Sequence, residues 1–340
     1  MRWAACLLSA TAALGQTGII DGTVFDTVAN APISAATVKL HRGDQSAHST
    51  ASDAQGKFRF DAIPMGEYRI SISHPAHMPL DRRHSAARPF LVSAANAEVS
   101  LRAELVPFAR ISGRVLGPTN QPIAGIPVGM RRIWDEHWIM TTWTAKDGSY
   151  QFNTLEPATW ILAALPLMRI QTRTPEKDPK PIAPPADEEG RRMGWSSTFF
   201  PSVTDFDGAE RIVLRPGTQL TGYDIKLRAV SVHRVSGVIL DEDGKPVPKA
   251  HLSLGDRSGK GIHGEMKSAG NDGRFLFDAV PDGEWRLFAQ AKRLDQTHKG
   301  YSNLHVSRRD TENLEVRITP PFPAGGFVDR EEPRDREGKR

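Results

Sequence analysis

Residues Asn271 to Trp285 read NDGRFLFDAVPDGEW. Phe275 and Phe277 alternate with polar neighbours, as on a strand with one buried face. Asp272-Gly273 before them is a hairpin signal, because glycine takes positive φ without steric cost. Pro281 stops the strand, since proline cannot donate to a central ladder. Gly283 then turns the chain toward Trp285, Leu287 and Ala289. Turn, short strand, stop and turn again is the grammar of an all-β protein.

The same phrase occurs three times. Copy one reads Gln55-Gly56-Lys57-Phe58-Arg59-Phe60 and copy two Asp147-Gly148-Ser149-Tyr150-Gln151-Phe152. From the turn glycine to the next aromatic (Tyr68, Trp160, Trp285) is 12 residues in every copy. Upstream, each copy has an opening strand with a central glycine: Ile20 to Val24 around Gly22, Ile111 to Val115 around Gly113, and Val235 to Ile239 around Gly237. The two glycines are 34, 35 and 36 residues apart. Between them lie a proline (Pro32, Pro122, Pro246) and an apolar alternation: Ala36, Val38, Leu40; Ile126, Val128, Met130; Ala250, Leu252, Leu254. Copy two departs at one turn, where Glu156-Pro157-Ala158 replaces Pro-x-Gly, so an altered turn is expected there. Closing strands follow at Val99 and Leu101, at Ile225 and Leu227, and at Leu314, Val316 and Ile318. Short strands with frequent turn signals imply three tandem antiparallel β-sandwiches of about seven strands each.

These motifs resemble the carboxypeptidase regulatory-like domain, a small prealbumin-like (transthyretin-like) sandwich grouped by fold with starch-binding-like domains. The resemblance covers nearly the whole chain beyond residue 15 and implies a tandem array of the kind found in exported bacterial proteins. It is specific for fold and weak for function, because such sandwiches serve adhesion, sugar binding and purely structural roles. The expected boundaries are 16–106, 107–231 and 232–321. Domain two carries a Pro-rich and charged insertion at 172–193, and a charged tail at 322–340 has the composition of a disordered segment.

The chain has 340 residues, with 29 Gly and 25 Pro, a turn-rich composition. Its net charge of +4 comes from Lys and Arg dispersed among acids, so no basic stripe argues for nucleic acid. Residues 1–15 have the pattern of a signal peptide. Arg2 precedes the short apolar run Trp3 to Leu14, and Ala13-Leu14-Gly15 offers a small-residue cleavage site. Such a run falls short of the roughly 20 residues a spanning helix needs, so no membrane span is expected in the mature chain. Export to the periplasm, the outer-membrane surface or the medium is expected. The single cysteine, Cys6, lies within that segment, leaving the mature chain without thiol chemistry.

Sites for chemistry are sparse. His74-Pro75-Ala76-His77 lacks the glutamate of a catalytic zinc motif, and Gly259-Lys260-Gly261 lacks the hydroxyl residue of a phosphate loop. Asp241-Glu242-Asp243-Gly244 is better placed as a hairpin tip than as a calcium loop. No cofactor is expected, and the reading is non-enzymatic. One segment breaks the repeat: Arg131, Arg132, Trp134, His137, Trp138 and Trp143 gather where copies one and three are polar. Aromatic faces beside hydrogen-bonding groups suit a sugar ring or a protein partner, although tryptophans also pack across strands. The expectation is a binding or scaffolding protein of the cell envelope, with carbohydrate or an envelope protein as partner. A structural spacer, or a hydrolase with its site in domain two, are the alternatives.

Overall fold

The computed structural model describes residues 16–80, 89–135, 138–167, 183–257, 263–293 and 296–320. The expected signal peptide, residues 172–182 of the 172–193 insertion and the 322–340 tail lie outside the described residues. Every regular element among those described is a strand. The chain forms two compact units. One holds Met1–Ile111, Gln151–Thr159 and Val213–Thr221; the other holds Ser112–Tyr150, Trp160–Ile212 and Gly222–Arg340. Contacts therefore do not divide the chain at 106 and 231, and repeat two contributes to both units.

In the first unit the opening strand Thr17–Asp26 alternates buried and half-buried positions, with Ile20 and Val24 inside. It pairs antiparallel with Lys57–Pro64 and parallel with Glu98–Pro107. A second sheet runs in the order Gln45–Ala51, Thr37–Arg42, Gly66–Ser73, Phe90–Val92. Ile20, Val24, Phe58 and Phe60 from one sheet meet Val38, Leu40 and Tyr68 from the other in a single core.

The second unit repeats this plan with the third copy. Ala229–Leu240 pairs antiparallel with Arg274–Pro281 and parallel with Thr311–Arg317. The facing sheet runs His263–Ser268, His251–Asp256, Gly283–Arg293, Gln296–Val306. Val235, Ile239, Phe275 and Phe277 share a core with Leu252, Leu254, Trp285 and Leu287. Repeat two supplies this unit with a third sheet, in which Pro127–Arg132 lies between Met140–Trp143 and Ala158–Ala164.

Equivalent hydrogen bonds identify the copies as one unit. Val24, Val115 and Ile239 each donate N–H to the carbonyl of the turn glycine, Gly56, Gly148 or Gly273, at 2.8, 2.9 and 2.9 Å. Their own carbonyls accept from the residue after the proline, Ile33, Ile123 or Val247, at 2.9, 2.9 and 2.8 Å. The three turn glycines share a left-handed φ of +73°, +72° and +73°, as the turn chemistry requires. At the next turn Gly66 and Gly283 take φ of +155° and +146°, while Ala158 of copy two keeps a negative φ. The turn is altered there, as its sequence implies. The aromatic after that turn closes the strand end: Tyr68 Oη and Trp285 Nε1 each donate at 2.8 Å to the carbonyl of the proline four residues earlier.

One expectation needs correcting. The sheets are not purely antiparallel, because in each copy the closing strand runs parallel to the opening one; Val115–Leu116 pairs in this way with Ile225–Lys226. Period-two alternation is the same for both strand directions, so the sequence pattern could not distinguish them. The parallel pair also explains the opening-strand glycine. A Cβ on Gly22, Gly113 or Gly237 would lie 2.2, 2.1 or 1.9 Å from a closing-strand carbonyl oxygen, that of Leu101, Tyr223 or Leu314. An aromatic side chain covers the same spot from the other side, Phe58, Tyr150 or Phe275. Only glycine fits there.

Candidate functional site

The Trp-rich segment is a hairpin, with Pro127 opposite Trp143 and Met130 opposite Met140. Its tip is closed by Asp135 N–H donating to the Arg132 carbonyl at 3.0 Å and Ile139 N–H to that of Met130 at 3.1 Å. The structure divides the expected binding set into two groups.

Trp138 and Arg131 are inside. Trp138 is 9% exposed and stacks on Phe199, with ring centroids 6.2 Å apart and planes at 29°. Ile161, Ala163 and Leu165 complete its surroundings. Gly129 makes room for the indole, since a Cβ there would lie 2.8 Å from its ring. Arg131 is 4% exposed, and its guanidinium stands 4.2 Å over the Phe206 ring and 5.7 Å from that of Trp138. Burial pulls its pKa below the ordinary arginine value, and the charge of Asp135 opposes that shift. A cation clamped between two rings stabilises a core; these two residues therefore leave the surface site that the sequence suggested.

Trp134 and Arg132 are outside. Trp134 is 62% exposed, with Ile133 at 42% and Ile139 at 45% on the same tip. Arg132 lies 5.6 Å over the Trp134 ring and is held by Asp135, Nε to Oδ2 at 2.7 Å and Nη2 to Oδ1 at 3.4 Å. The Asp135 carboxylate thus holds the guanidinium beside the indole. Trp143 is half-buried on the outgoing strand. His137 lies outside the described residues. The surface site is thus one backed tryptophan with two exposed isoleucines, not three stacked rings.

The His74–His77 pair, which the sequence shows without a partner, meets Asp26 in a second polar constellation. His77 Nε2 lies 2.9 Å from Asp26 Oδ2, and His77 Nδ1 lies 2.8 Å from His74 Nδ1. His74 Nδ1 also receives the Ala76 N–H at 3.2 Å. His77 is therefore held between the Asp26 carboxylate and the His74 ring. Burial alone would raise the Asp26 carboxyl, but N–H donors from Ala29 and Val28 together with His77 outweigh it and hold Asp26 below the usual carboxylate range. Burial and the His77 charge lower the pKa of His74. This chain of three ties the loop after one strand to the end of the opening strand.

At the acidic tip, Asp241 Oδ1 accepts the N–H of Asp243 and of Lys245 at 3.1 and 2.8 Å, and Gly244 takes φ +80°. This is hairpin-tip geometry. Among the described residues no group of three His, Cys, Asp or Glu is placed to hold a metal ion. Among them, too, no helix is long and apolar enough to cross a membrane.

Residues 19–101, from the opening strand to the closing strand of copy one, match the profile of the carboxypeptidase regulatory-like domain. The first repeat is thus similar to a carboxypeptidase regulatory-like domain. Copies two and three of this regulatory-like unit share its turn hydrogen bonds and its parallel closing pair. No curated protein matches the chain. Among solved structures it is similar to the TIE protein of Bacillus anthracis, at 11% identity over 89% of this chain and 50% of that one, TM-score 0.25. It thus spans half the length of that protein. A streptococcal ancillary pilin is similar at 11% identity over 90% of this chain and all of that one, TM-score 0.26. The major pilin subunit of Bacillus cereus is similar at 10% identity over 89% of this chain and 99% of that one, TM-score 0.24. TM-scores this low carry no argument about function.

Proposed function

We propose that this chain is a non-catalytic, exported, three-domain scaffold that binds an envelope partner through the tip of the hairpin in its second repeat. The observation that carries this reading is Trp134, a large ring 62% exposed and backed by Arg132. The repeated residues are accounted for by turns, cores and strand ends, so selective binding falls to what is not repeated. An exposed tryptophan beside Ile133 and Ile139 has the character of an interface anchor.

Carbohydrate and envelope protein are both partners such an anchor can serve, and two variants separate them from a spacer role. Full chain lacking residues 1–15 is tested against a glycan array and against isolated envelope proteins, beside Trp134→Ala and Trp138→Ala. Binding lost in Trp134→Ala at unchanged fold supports the reading. Binding that survives Trp134→Ala, or absence of binding to either class, overturns it.

A further inference from the structure

The third repeat shares one of its sheets with repeat two. Met193–Trp195, where the insertion of repeat two ends, pairs antiparallel with the start of Ala229–Leu240: Met193 lies opposite Ser231 and Trp195 opposite Ala229. Beside this seam, within the second unit, lies a cavity of about 590 Å³. Its walls come from repeat two, at Met193 to Ser197, and from the turn of repeat three at Pro281 to Gly283. Sites for small molecules commonly measure about 300–1,000 Å³ and lie where two domains meet.

The lining combines three kinds of surface. Leu167, Met193 and Trp285 supply an apolar wall, and the indole is fixed because Nε1 donates to the Pro281 carbonyl at 2.8 Å. Ser196, Ser197 and Ser231 supply hydroxyls. Ser197 is 4% exposed, and its Oγ has no hydrogen-bond partner within the protein. A buried hydroxyl left in that state is costly, and a bound molecule that completes its hydrogen bonds removes the cost. The carboxylates of Asp282 and Glu284 line the cavity too, and both residues are exposed. Asp282 Oδ1 lies 2.9 Å from His233 Nε2. Glu284 Oε1 lies 2.7 Å from His305 Nδ1, and its Oε2 lies 3.5 Å from Arg257 Nη1. Among the described residues no Lys, Arg or His belongs to the lining itself.

We propose that this cavity binds an uncharged sugar unit, free or at the end of a glycan chain. Serine hydroxyls donate and accept, while carboxylate oxygens accept, so a ligand rich in hydroxyls meets both. Its C–H face suits the wall of Leu167 and Met193. An apolar ligand would leave the Ser197 hydroxyl and the carboxylates unpaired. An anionic ligand would meet Asp282 and Glu284 with no cation in the lining. A cationic ligand is not called for, because both carboxylates already have basic neighbours. The cavity shares no residue with the Trp134 tip, and either site can fail alone.

The test is saturation-transfer NMR of the full chain, titrated with glucose, galactose and mannose, each free and as its methyl glycoside, beside their uronic acid and amino forms. At least one neutral sugar is expected to bind, with its uronic acid form much weaker and its amino form no tighter. A methyl glycoside that binds as well as the free sugar points to the end of a glycan chain, and binding of the free sugar alone points to the free molecule. Ser197→Ala is expected to weaken binding about tenfold, the size of one hydrogen bond. That variant gives up no hydrogen bond within the protein, so its urea midpoint should not fall. Asp282→Ala, at an exposed position, should weaken binding as well. No binding by any of the neutral sugars overturns the proposal. Binding unchanged in Ser197→Ala or in Asp282→Ala overturns it, as does a charged form that binds tighter than the neutral sugar. Binding lost in Trp134→Ala and kept in both cavity variants overturns it too, and places the sugar at the hairpin tip.

Discussion

Replacing Trp138 by alanine separates core from surface within the same hairpin. The indole is 9% exposed, stacked on Phe199 and crossed by Arg131. A buried aromatic removes about 150–250 Å² from water. At about 25 cal/mol per Å² that is roughly 4–6 kcal/mol, an upper figure because unfolded chains already bury part of this area. Measured truncations of this type cost about 3–5 kcal/mol. Trp138→Ala should therefore lose about 4 kcal/mol. Trp134→Ala, whose ring is 62% exposed, should stay within about 0.5 kcal/mol. Urea unfolding followed by circular dichroism reads the difference. With a slope near 2 kcal/mol per M, Trp138→Ala moves the midpoint of its transition by about 2 M and Trp134→Ala by a few tenths. Equal shifts in the two variants, or a Trp138→Ala midpoint within about 0.5 M of the parent, would refute the division of the hairpin.

Two further outcomes follow from single positions. Gly237→Ala places a Cβ 1.9 Å from the Leu314 carbonyl oxygen and 2.8 Å from Phe275; forced overpacking of this kind costs about 1–3 kcal/mol or more. Gly244→Ala, at φ +80° with no atom within 4 Å, meets only backbone strain of about 1–2 kcal/mol, so its thermal midpoint should fall less; the reverse order would discredit the parallel pair. His74 has a folded-state pKa below its ordinary value, so near its unfolded pKa of about 6.5 the unfolded chain binds more protons. Its contribution is complete above that pH and is lost as pH falls through it, so the melting temperature of the first unit should drop between about pH 7.5 and 5.5. His74→Asn should flatten that drop; an unchanged slope argues against the His74–His77–Asp26 chain.

Much of the fold was legible because turn chemistry is local. Gly56, Gly148 and Gly273 needed positive φ, and the aromatics after them needed a core; both facts sit within a few residues of sequence. Strand direction was not legible. Gly22 and Leu101 meet in space through a pairing that alternation does not encode, so the parallel pair appeared only with the register. The candidate site was half legible. Composition singled out the hairpin of repeat two, but the residues joining its strands have no period, so nothing marked Trp138 as turned inward and Trp134 as turned out. Gly129 was the available signal, a glycine in the interior of a strand. The cavity brings Leu167 and Trp285 together at the seam of two repeats, and the Asp26–His77 contact spans 51 residues. Such groupings exist only once the sheets are aligned.

The central claim is that one unit is written three times, each copy closing on its own opening strand in parallel. Cysteine pairs test it directly, because Cys6 is the only native thiol and falls in the segment expected to be removed. Asp21 and Ser100, Leu116 and Lys226, and Val238 and Glu315 are register partners across the three parallel pairs. Replaced pairwise by cysteine and mildly oxidised, each couple should form an intramolecular disulfide in folded protein, since directly paired strand positions bring Cα atoms within bridging range. Pairs shifted by four residues along one strand should stay reduced. Cross-linking in one copy but not the others, or equal cross-linking of the shifted pairs, would contradict the account.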